Sequence, residues 1–420
     1  MPRLTRDRTT WLTYAQLGLW GFFLYGFGPV VPLLRDEQGT SAAVAGLHST
    51  GIAVGAVAGG ALFAPVARRL GRGPAIWLGL AGVAAGVAAL GLLHPLPATI
   101  AAVAVIATFG MMVISGVNVV LVAHHGPAAP AALAEANAAC AGMGILAPLV
   151  IGAAVGAGLG WRPVMAAEVG LITLVALAAL TFRVRLPKAT PYDDSSSARL
   201  MPRSDLEPSA PAHPVGATAG ASARLPRAYW IAWVLMSVTG SIEVCLSLWT
   251  ADVLRTHAGL SAGGASAAVA AIVCGMFAGR AAGGRFALRL PPVPLLLGAL
   301  SVSLVGFALF WSAQVGWLAV TGLVVLGLGN ALHYPLAISI ALTVAGPAAD
   351  KAAGWSSYSM GVGFGIAPVA LGWVADGVGP HLAFLLLPGF IAAGLLLTAR
   401  LGRVLRTPHP TADDLVRLPA

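Results

Sequence analysis

The chain has 420 residues, of which 58% are hydrophobic and 9% charged. Soluble domains usually carry about 25% charged residues, so this composition excludes an ordinary soluble protein. The net charge of +9 would suit a nucleic-acid partner only if the basic residues were gathered in one patch. Their distribution follows membrane topology instead, as described below, and we expect no nucleic acid.

Apolar runs of about 20 residues follow one another, each long enough to cross ~30 Å of hydrocarbon as a helix. They predict an all-α membrane protein in the lipid bilayer with twelve transmembrane helices. Six are predicted at 11–34, 43–67, 74–93, 98–122, 133–157 and 162–182. Six more are predicted at 228–251, 262–286, 293–313, 316–344, 352–376 and 380–401.

A polar stretch separates the two sets of helices. It contains Asp193 and Asp194 followed by three serines, together with several prolines. It has too few apolar residues to fold alone, so we expect a flexible linker, with a switch or docking element as the alternative. The predicted division is an N-terminal bundle at 1–182, a linker at 183–227, a C-terminal bundle at 228–402 and a tail at 403–420.

Lysine and arginine concentrate on one side of the predicted membrane. With the N-terminus inside, all 24 of them except Arg35, Arg162 and Arg255 lie on the cytoplasmic side. This asymmetry follows the positive-inside rule. It predicts a multi-pass protein of the cell's inner (plasma) membrane with both termini in the cytoplasm.

The two halves of the sequence are similar to each other. Each matched residue of the second half lies the same number of positions after its counterpart in the first half, and we call this shift in residue number the repeat offset. This offset aligns Leu34-Arg35 with Leu254-Arg255, and it also aligns several glycines and prolines. Because the order is the same and each half has an even number of spans, the repeats are parallel. The predicted architecture is two parallel-repeat six-helix bundles around a central cavity.

Two six-helix halves joined by a long cytoplasmic loop resemble the major facilitator superfamily. The family's loop between helices 2 and 3 reads G-x-x-x-D-R-x-G-R, and its first Gly and its Asp are replaced here. The matching positions are Arg69, Gly71 and Arg72, with Gly284 and Arg289 in the second half. The resemblance implies that these five residues form a cytoplasmic gate. A role in topology alone would also explain them.

Two further family motifs concern drug/proton antiport. Helix 4 lacks the arginine that such antiporters often carry there. Helix 5 keeps Pro148 and Gly152 of the pattern G-x-x-x-G-P-x-x-G-G, with Ala147 and Ile151 where glycines belong. These departures argue against drug/proton antiport and leave the direction of transport open.

Glu243 is the single charged residue in the run Ala228 to Ala251 before its last turn. An acid at mid-span costs about 2.5–3.5 kcal/mol on insertion scales, and no base lies one turn away on the same helix. We expect Glu243 to face a water-accessible cavity and to carry the coupling proton. The alternative is a structural acid bonded to Asn118 or His333.

The resemblance also implies that helices 1, 4, 7 and 10 line the cavity. The candidate substrate-binding residues on these helices, besides the acid, are Gln16, Trp20, Tyr25, Asn118, Asn330, His333 and Tyr334. Three of them, Asn330, His333 and Tyr334, have the spacing of one helix face. Interhelical bonding of His333 and aromatic packing of Trp20 and Tyr25 are the alternatives.

Together these features predict a secondary active transporter that moves a small organic solute by alternating access, coupled to protons and active as a monomer. A non-transporting receptor on the same scaffold remains the alternative. The sequence has no P-loop, metal-ligand spacing or G-x-S-x-G motif. We therefore expect no enzyme activity, no catalytic residue, no cofactor and no metal.

Overall fold

The computed structural model describes residues 4–182, 225–287 and 289–406. The first bundle contains α1 (Arg8–Gln38), α2 (Ala42–Leu70), α3 (Arg72–Leu92), α4 (Leu96–His125), α5 (Ala129–Gly156) and α6 (Arg162–Thr181). A 3-10 turn, Gly126–Ala128, precedes α5. Nearly all of the predicted linker and most of the predicted tail lie outside the described residues.

Three helices of the second bundle are each divided into two segments. The helices are α7 (Arg227–Thr256), α8 (Ala262–Ala268 and Ala270–Ala287), α9 (Pro292–Ser312), α10 (Gly316–Asn330 and His333–Ala345), α11 (Ala349–Val378) and α12 (Pro380–Ala383 and Leu386–Arg406). In the described part of the chain, twelve helices are long and apolar enough to cross a membrane. This confirms the predicted number of spans.

The repeat offset is visible in the helix bounds. Helices α3 and α9 begin and end at positions that this offset aligns, and so do α4 and α10. Ser41 and Ser261 both cap the helix that follows by accepting a backbone N–H three residues later. Gly39 and Gly259 before them have positive φ angles of 60° and 65°, which favour glycine. The repeat is therefore structural as well as sequential.

Close packing inside each bundle depends on the repeated glycines. A Cβ on Gly55 would collide with the carbonyl of Ala104 in α4, and one on Gly275 with the carbonyl of Val324 in α10. The repeat offset aligns the two glycines and also the two residues that they contact. Small residues let membrane helices approach to backbone contact, so α2 packs on α4 as α8 packs on α10.

The helices run alternately between two ends of the molecule. We call the end where α1 begins the proximal face and the end where α1 finishes the distal face. The bundles meet closely in the distal half, where α11 packs on α2 and α5 on α8. An ideal Cβ on Gly372 would lie 2.5 Å from the carbonyl oxygen of Ala42, and one on Gly152 would lie 2.5 Å from that of Gly263. At these two matched glycines the bundles approach to backbone contact.

Candidate functional site

A cavity of about 730 Å³, counting the space that opens toward solvent, lies between the two bundles. Residues of α1 and α2 from the first bundle and of α7, α8, α10 and α11 from the second line it. The lining is mostly aliphatic and aromatic. Its polar side chains are Tyr25, Glu243, Ser247 and Asn330. Tyr25 and Glu243 are near the middle of α1 and α7, so the cavity lies at mid-depth.

Glu243 projects into this cavity from α7 and is half-buried. The guanidinium of Arg280, on α8, lies within electrostatic range of the Glu243 carboxylate and of the Tyr25 hydroxyl. Tyr25 belongs to the first bundle, whereas Glu243 and Arg280 belong to the second. The cavity therefore joins an acid, a base and a phenol across the interface between bundles.

Arg280 is the site residue that the sequence analysis missed, because it was placed on the cytoplasmic side with the topology residues. The structure puts it on the cavity face of α8, one turn beyond Met276, which lines the cavity after Val269 and Val273. Two signals pointed to it. Arg280 falls inside the predicted span 262–286, and Glu243 has no base one turn away on its own helix.

Asn330 lines the cavity at the end of the first segment of α10. It is 3% exposed, and its Oδ1 has no hydrogen-bond partner among the described residues. Its Nδ2 lies 3.8 Å from the Met276 sulfur, a weak acceptor. Since a buried amide oxygen without a partner carries a desolvation cost, it is ready to accept a hydrogen bond from a ligand.

The expected common face of Asn330, His333 and Tyr334 forms only in part: Asn330 and Tyr334 lie at or beside the cavity, whereas His333 does not. Helix α10 is interrupted between Asn330 and His333. Pro335 explains the interruption, since it has no N–H to donate to the carbonyl four residues earlier. The matching position in the uninterrupted α4 is Ser115. The proline was visible in the sequence and could have predicted the break.

After the break, the consecutive residues His333 and Tyr334 have different surroundings. His333 is buried between helices, with its Nε2 3.1 Å from the Ser303 hydroxyl of α9. This is the interhelical bonding named as the alternative for His333. Tyr334 is half-buried and lies within electrostatic range of Glu243.

Three other candidates do not line the cavity. Trp20 packs inside the first bundle against Gly110 of α4. Gln16 is completely buried, and neither atom of its amide has a partner among the described residues. Asn118 is half-buried in α4. Tyr25 does line the cavity, as expected for a ligand contact, and its ring also packs against Gly144 of α5.

The proposed gate residues lie at the proximal face. Gly71 ends α2 with φ 95° and ψ 160°, a conformation that is essentially limited to glycine, so the turn itself explains this residue. Arg69 is exposed and Arg72 half-buried, and neither forms an ion pair with a described acid. Gly284 lies in the second segment of α8, and Arg289 is exposed just after it.

The distal face is closed by ion pairs between the bundles. Arg35 of α1 binds Asp252 of α7 through two hydrogen bonds of 2.6 and 3.0 Å. Arg255 of α7 lies 2.9 Å from Asp36 of α1, without hydrogen-bond alignment. The two arginines are the pair aligned by the repeat offset, and each meets an acid of the opposite bundle.

Helices α2 and α11 add further polar contacts between the bundles. The Asp376 carboxylate of α11 accepts the backbone N–H groups of Ala42 and Ala43 at 2.6 and 3.0 Å. Deeper in the molecule, the Thr50 hydroxyl donates to the carbonyl of Gly365 at 2.7 Å. Because Asp376 caps the start of α2, these contacts close the distal half above the cavity.

A family model provides the decisive comparison. The model of the Major Facilitator Superfamily matches residues 15–354. The chain belongs to this superfamily. The match confirms the family resemblance, and it identifies the protein as a transporter rather than an enzyme. No match was found among curated protein sequences.

Solved structures of the same superfamily share the fold over nearly the whole chain. A point mutant of the nucleoside transporter NupG has a TM-score of 0.73 at 14% identity, covering 95% of this chain and 99% of its own. A D-xylose–proton symporter has a TM-score of 0.69 at 15% identity, covering 93% and 96%. A bacterial homolog of the human lysosomal transporter Spinster, inward-facing and unoccupied, has a TM-score of 0.65 at 16% identity, covering 95% of both chains. These matches confirm the predicted fold class.

Proposed function

We propose that this superfamily member is a proton-coupled secondary transporter of a small organic solute, with Glu243 as the proton-carrying residue. The observation that carries the proposal is a carboxyl group at mid-depth in a cavity between two bundles. Ionisable residues inside membrane spans are costly and mark ion or substrate pathways. The proposal covers uptake and export alike.

Alternating access requires one face of the cavity to be closed while the other is open. The distal half is closed by the Arg35–Asp252 and Asp376–Ala42 contacts. With both termini in the cytoplasm of the inner membrane, as the charge asymmetry predicts, the closed face is external. We therefore assign this conformation to the inward-facing stage of the cycle.

The surroundings of Glu243 suit a group that gains and loses a proton. The apolar wall of the cavity suits the neutral acid, whereas the guanidinium of Arg280 suits the carboxylate. Rocking of the two bundles would change how Tyr25, on the first bundle, faces Arg280 and Glu243 on the second. Proton binding and bundle movement are then linked through contacts that cross the interface.

The remaining candidate residues divide into proposed substrate contacts and residues that lie away from the cavity. Asn330, Tyr25 and Tyr334 lie at or beside the cavity and are proposed as substrate contacts. Gln16, Trp20, Asn118 and His333 lie away from its lining in this conformation. We assign packing and interhelical bonding to Trp20 and His333, which the contacts above support.

The test uses proteoliposomes that enclose a pH-sensitive dye, and panels of sugars, nucleosides, amino acids, monocarboxylates and amines as solutes. A solute that moves protons in the parent protein identifies a substrate. Glu243→Gln should still exchange this substrate across the membrane at zero gradient but should fail to accumulate it against a gradient. A glutamine keeps the size and hydrogen bonding of the acid but cannot release a proton.

The matched control is Glu168→Gln. Glu168 is also a buried acid within a span, on α6, but it does not line the cavity. Its variant should accumulate substrate as the parent does. If Glu243→Gln accumulates substrate as well as the parent, Glu243 is a structural acid and the coupling proposal is wrong.

A further inference from the structure

We propose that the substrate is a small organic monoanion, which Arg280 binds when Glu243 is protonated. The anion carries an apolar body that packs on the cavity wall and a hydrogen-bond donor that Asn330 accepts. The inference rests on the proposed transport function and names its substrate class. Neither the family nor the structural matches assign Arg280 or the charge of the substrate.

The charge of the cavity depends on whether Glu243 is protonated. Among the described residues, the charged groups that meet at the cavity are Glu243 and Arg280. An arginine keeps its charge in proteins, whereas a carboxyl group can take up a proton. With Glu243 ionised, the two charges compensate each other. With Glu243 protonated, the guanidinium is left without an opposite charge, and an anion restores the balance.

The other titratable groups near Glu243 do not alter this balance. They are Tyr25 from α1, Cys140 from α5, beside Arg280, and Tyr334 from α10. Their protonated forms are neutral, and the ordinary pKa values of phenols and thiols lie above neutrality. Helix α11 presents Phe364 to the cavity. Glu243 is therefore the group whose protonation changes the charge of the site.

A cationic substrate fits the arrangement less well. Arg280 is exposed whereas Glu243 is half-buried, so solvent and entering solutes reach the guanidinium more readily than the acid. A cation that approached Glu243 would remain within electrostatic range of the permanent positive charge of Arg280. An anion meets the accessible charge directly, and the proton that neutralises Glu243 removes the negative charge that would repel the anion.

The other lining residues indicate which groups the ligand carries besides its negative charge. Phe27, Ile272 and Phe364 supply an apolar wall, which suits an aromatic or aliphatic body. The buried Oδ1 of Asn330 has no partner among the described residues and requires a donor such as a hydroxyl or an amide N–H. A hydroxy acid or an acylated amino acid combines all three features.

The same arrangement of charges determines how substrate movement is coupled to protons. One proton and one monovalent anion bind together and carry no net charge between them. Transport should therefore respond to a pH gradient and not to a membrane potential imposed at equal pH. Proton and substrate move in the same direction, which makes the protein a symporter.

The first experiment measures thermal stabilisation of the purified full-length protein in detergent at acidic and alkaline pH. The probes share one body: 3-phenyllactate, 3-phenylpropionate, the neutral 3-phenylpropanamide and the cationic 3-phenylpropylamine. We expect stabilisation by the two carboxylates at acidic pH, stronger for the hydroxy acid, and loss of binding at alkaline pH. Amide and amine should not stabilise the protein.

Variants of Arg280 and Glu243 test the contribution of each charged residue separately. Arg280→Gln should weaken carboxylate binding about tenfold or more, as expected for a lost charge-assisted hydrogen bond, and Arg280→Lys should keep part of it. Glu243→Gln should bind the carboxylates at both pH values, because its side chain is always neutral. Arg400→Gln, at an exposed arginine of α12, is the control and should bind as the parent does.

Three results would overturn the anion assignment: equal carboxylate binding by Arg280→Gln and the parent, preference for the amine, or no stabilisation by either carboxylate. None of these removes the transport function by itself. If another solute class still drives proton movement in proteoliposomes and Glu243→Gln abolishes its accumulation, the protein is a proton-coupled transporter with a different substrate. If no solute drives proton movement, the proposed function fails as well.

Discussion

Arg35 of α1 and Asp252 of α7 join the two bundles at the distal face through paired hydrogen bonds of 2.6 and 3.0 Å. The Asp252 side chain is only 1% exposed and that of Arg35 is 18% exposed. Removing one partner of a buried ion pair costs about 3–5 kcal/mol because the other charge is left uncompensated. The pair therefore favours the distal-closed state as long as both residues are present.

Arg35→Gln should shift the protein toward a distal-open state, since Asp252 would regain water when the bundles separate. If the whole cost acts on this equilibrium, the ratio of open to closed states rises by about 100-fold or more. The measurement is the labelling rate, from the distal side, of a cysteine at Val244 by a membrane-impermeant maleimide. The native cysteines, Cys140, Cys245 and Cys274, are first replaced by alanine.

The control for this prediction is Arg162→Gln. Arg162 binds Glu37 at 2.8 Å, at the same face but within the first bundle, so its loss should leave the labelling of Val244→Cys unchanged. Exchanging the charges with Arg35→Asp and Asp252→Arg should partly restore the slow labelling. Unchanged labelling in a folded Arg35→Gln protein would show that the pair does not hold the distal face closed.

Gly372→Ala should also open the distal face. The new Cβ would lie 2.5 Å from the carbonyl oxygen of Ala42, and overpacking of this kind costs about 1–3 kcal/mol. Gly377→Ala on the same helix has open space at its Cβ and shares any gain in helix propensity. Spin labels at His94 and Val315 should report a longer distance in Gly372→Ala only. Equal distances in both variants would contradict the prediction.

The spans and the repeat could be predicted because they depend on local properties. Apolar length defines a membrane helix, and glycine and serine mark its ends, as at Gly39 and Ser41. The helices extend beyond the predicted spans, as α7 does from 251 to Thr256, because hydropathy detects the apolar centre and not the polar turns. The repeat offset was visible because Gly259 and Ser261 carry the same signals in the second half.

The site was predicted only in part, because helix rotation decides which side chains meet. Glu243, Tyr25 and Asn330 line the cavity, whereas Trp20 and His333 point into helix contacts. Hydropathy cannot separate these groups, since all lie within apolar spans. Arg280 was overlooked because a basic residue near the end of a span also satisfies the positive-inside rule. Only the packing of α8 shows that it faces the cavity.

His333→Ala should destabilise the protein without weakening substrate binding. His333 is 1% exposed and shares a hydrogen bond with Ser303, so its removal loses this bond, at a cost of about 0.5–1.5 kcal/mol, and leaves a cavity in the packing between helices. The destabilisation should appear as a lower thermal unfolding temperature of the purified protein in detergent. His94→Ala, at an exposed position, is the control. A normal unfolding temperature combined with weaker substrate binding would place His333 in the site.

Asn330→Ala should have the opposite effect. Its Nδ2 has only the Met276 sulfur at 3.8 Å among the described residues, and its Oδ1 has no partner, so little stabilising interaction is lost. The unfolding temperature should stay the same or rise slightly, because a buried polar atom without a partner is removed. Substrate affinity should fall by about 0.5–1.5 kcal/mol, the contribution of one hydrogen bond, which is roughly twofold to twelvefold.

The measurement uses the solute that drives proton movement in proteoliposomes, with the concentration for half-maximal flux compared between Asn330→Ala and His333→Ala. Asn330→Ala should change this concentration and not the unfolding temperature, and His333→Ala should do the reverse. The two residues are three positions apart on opposite sides of the break in α10, so a general disturbance of this helix would move both quantities in both variants. That result would contradict the separation of roles, and with it the assignment of the unpaired Asn330 oxygen to a ligand.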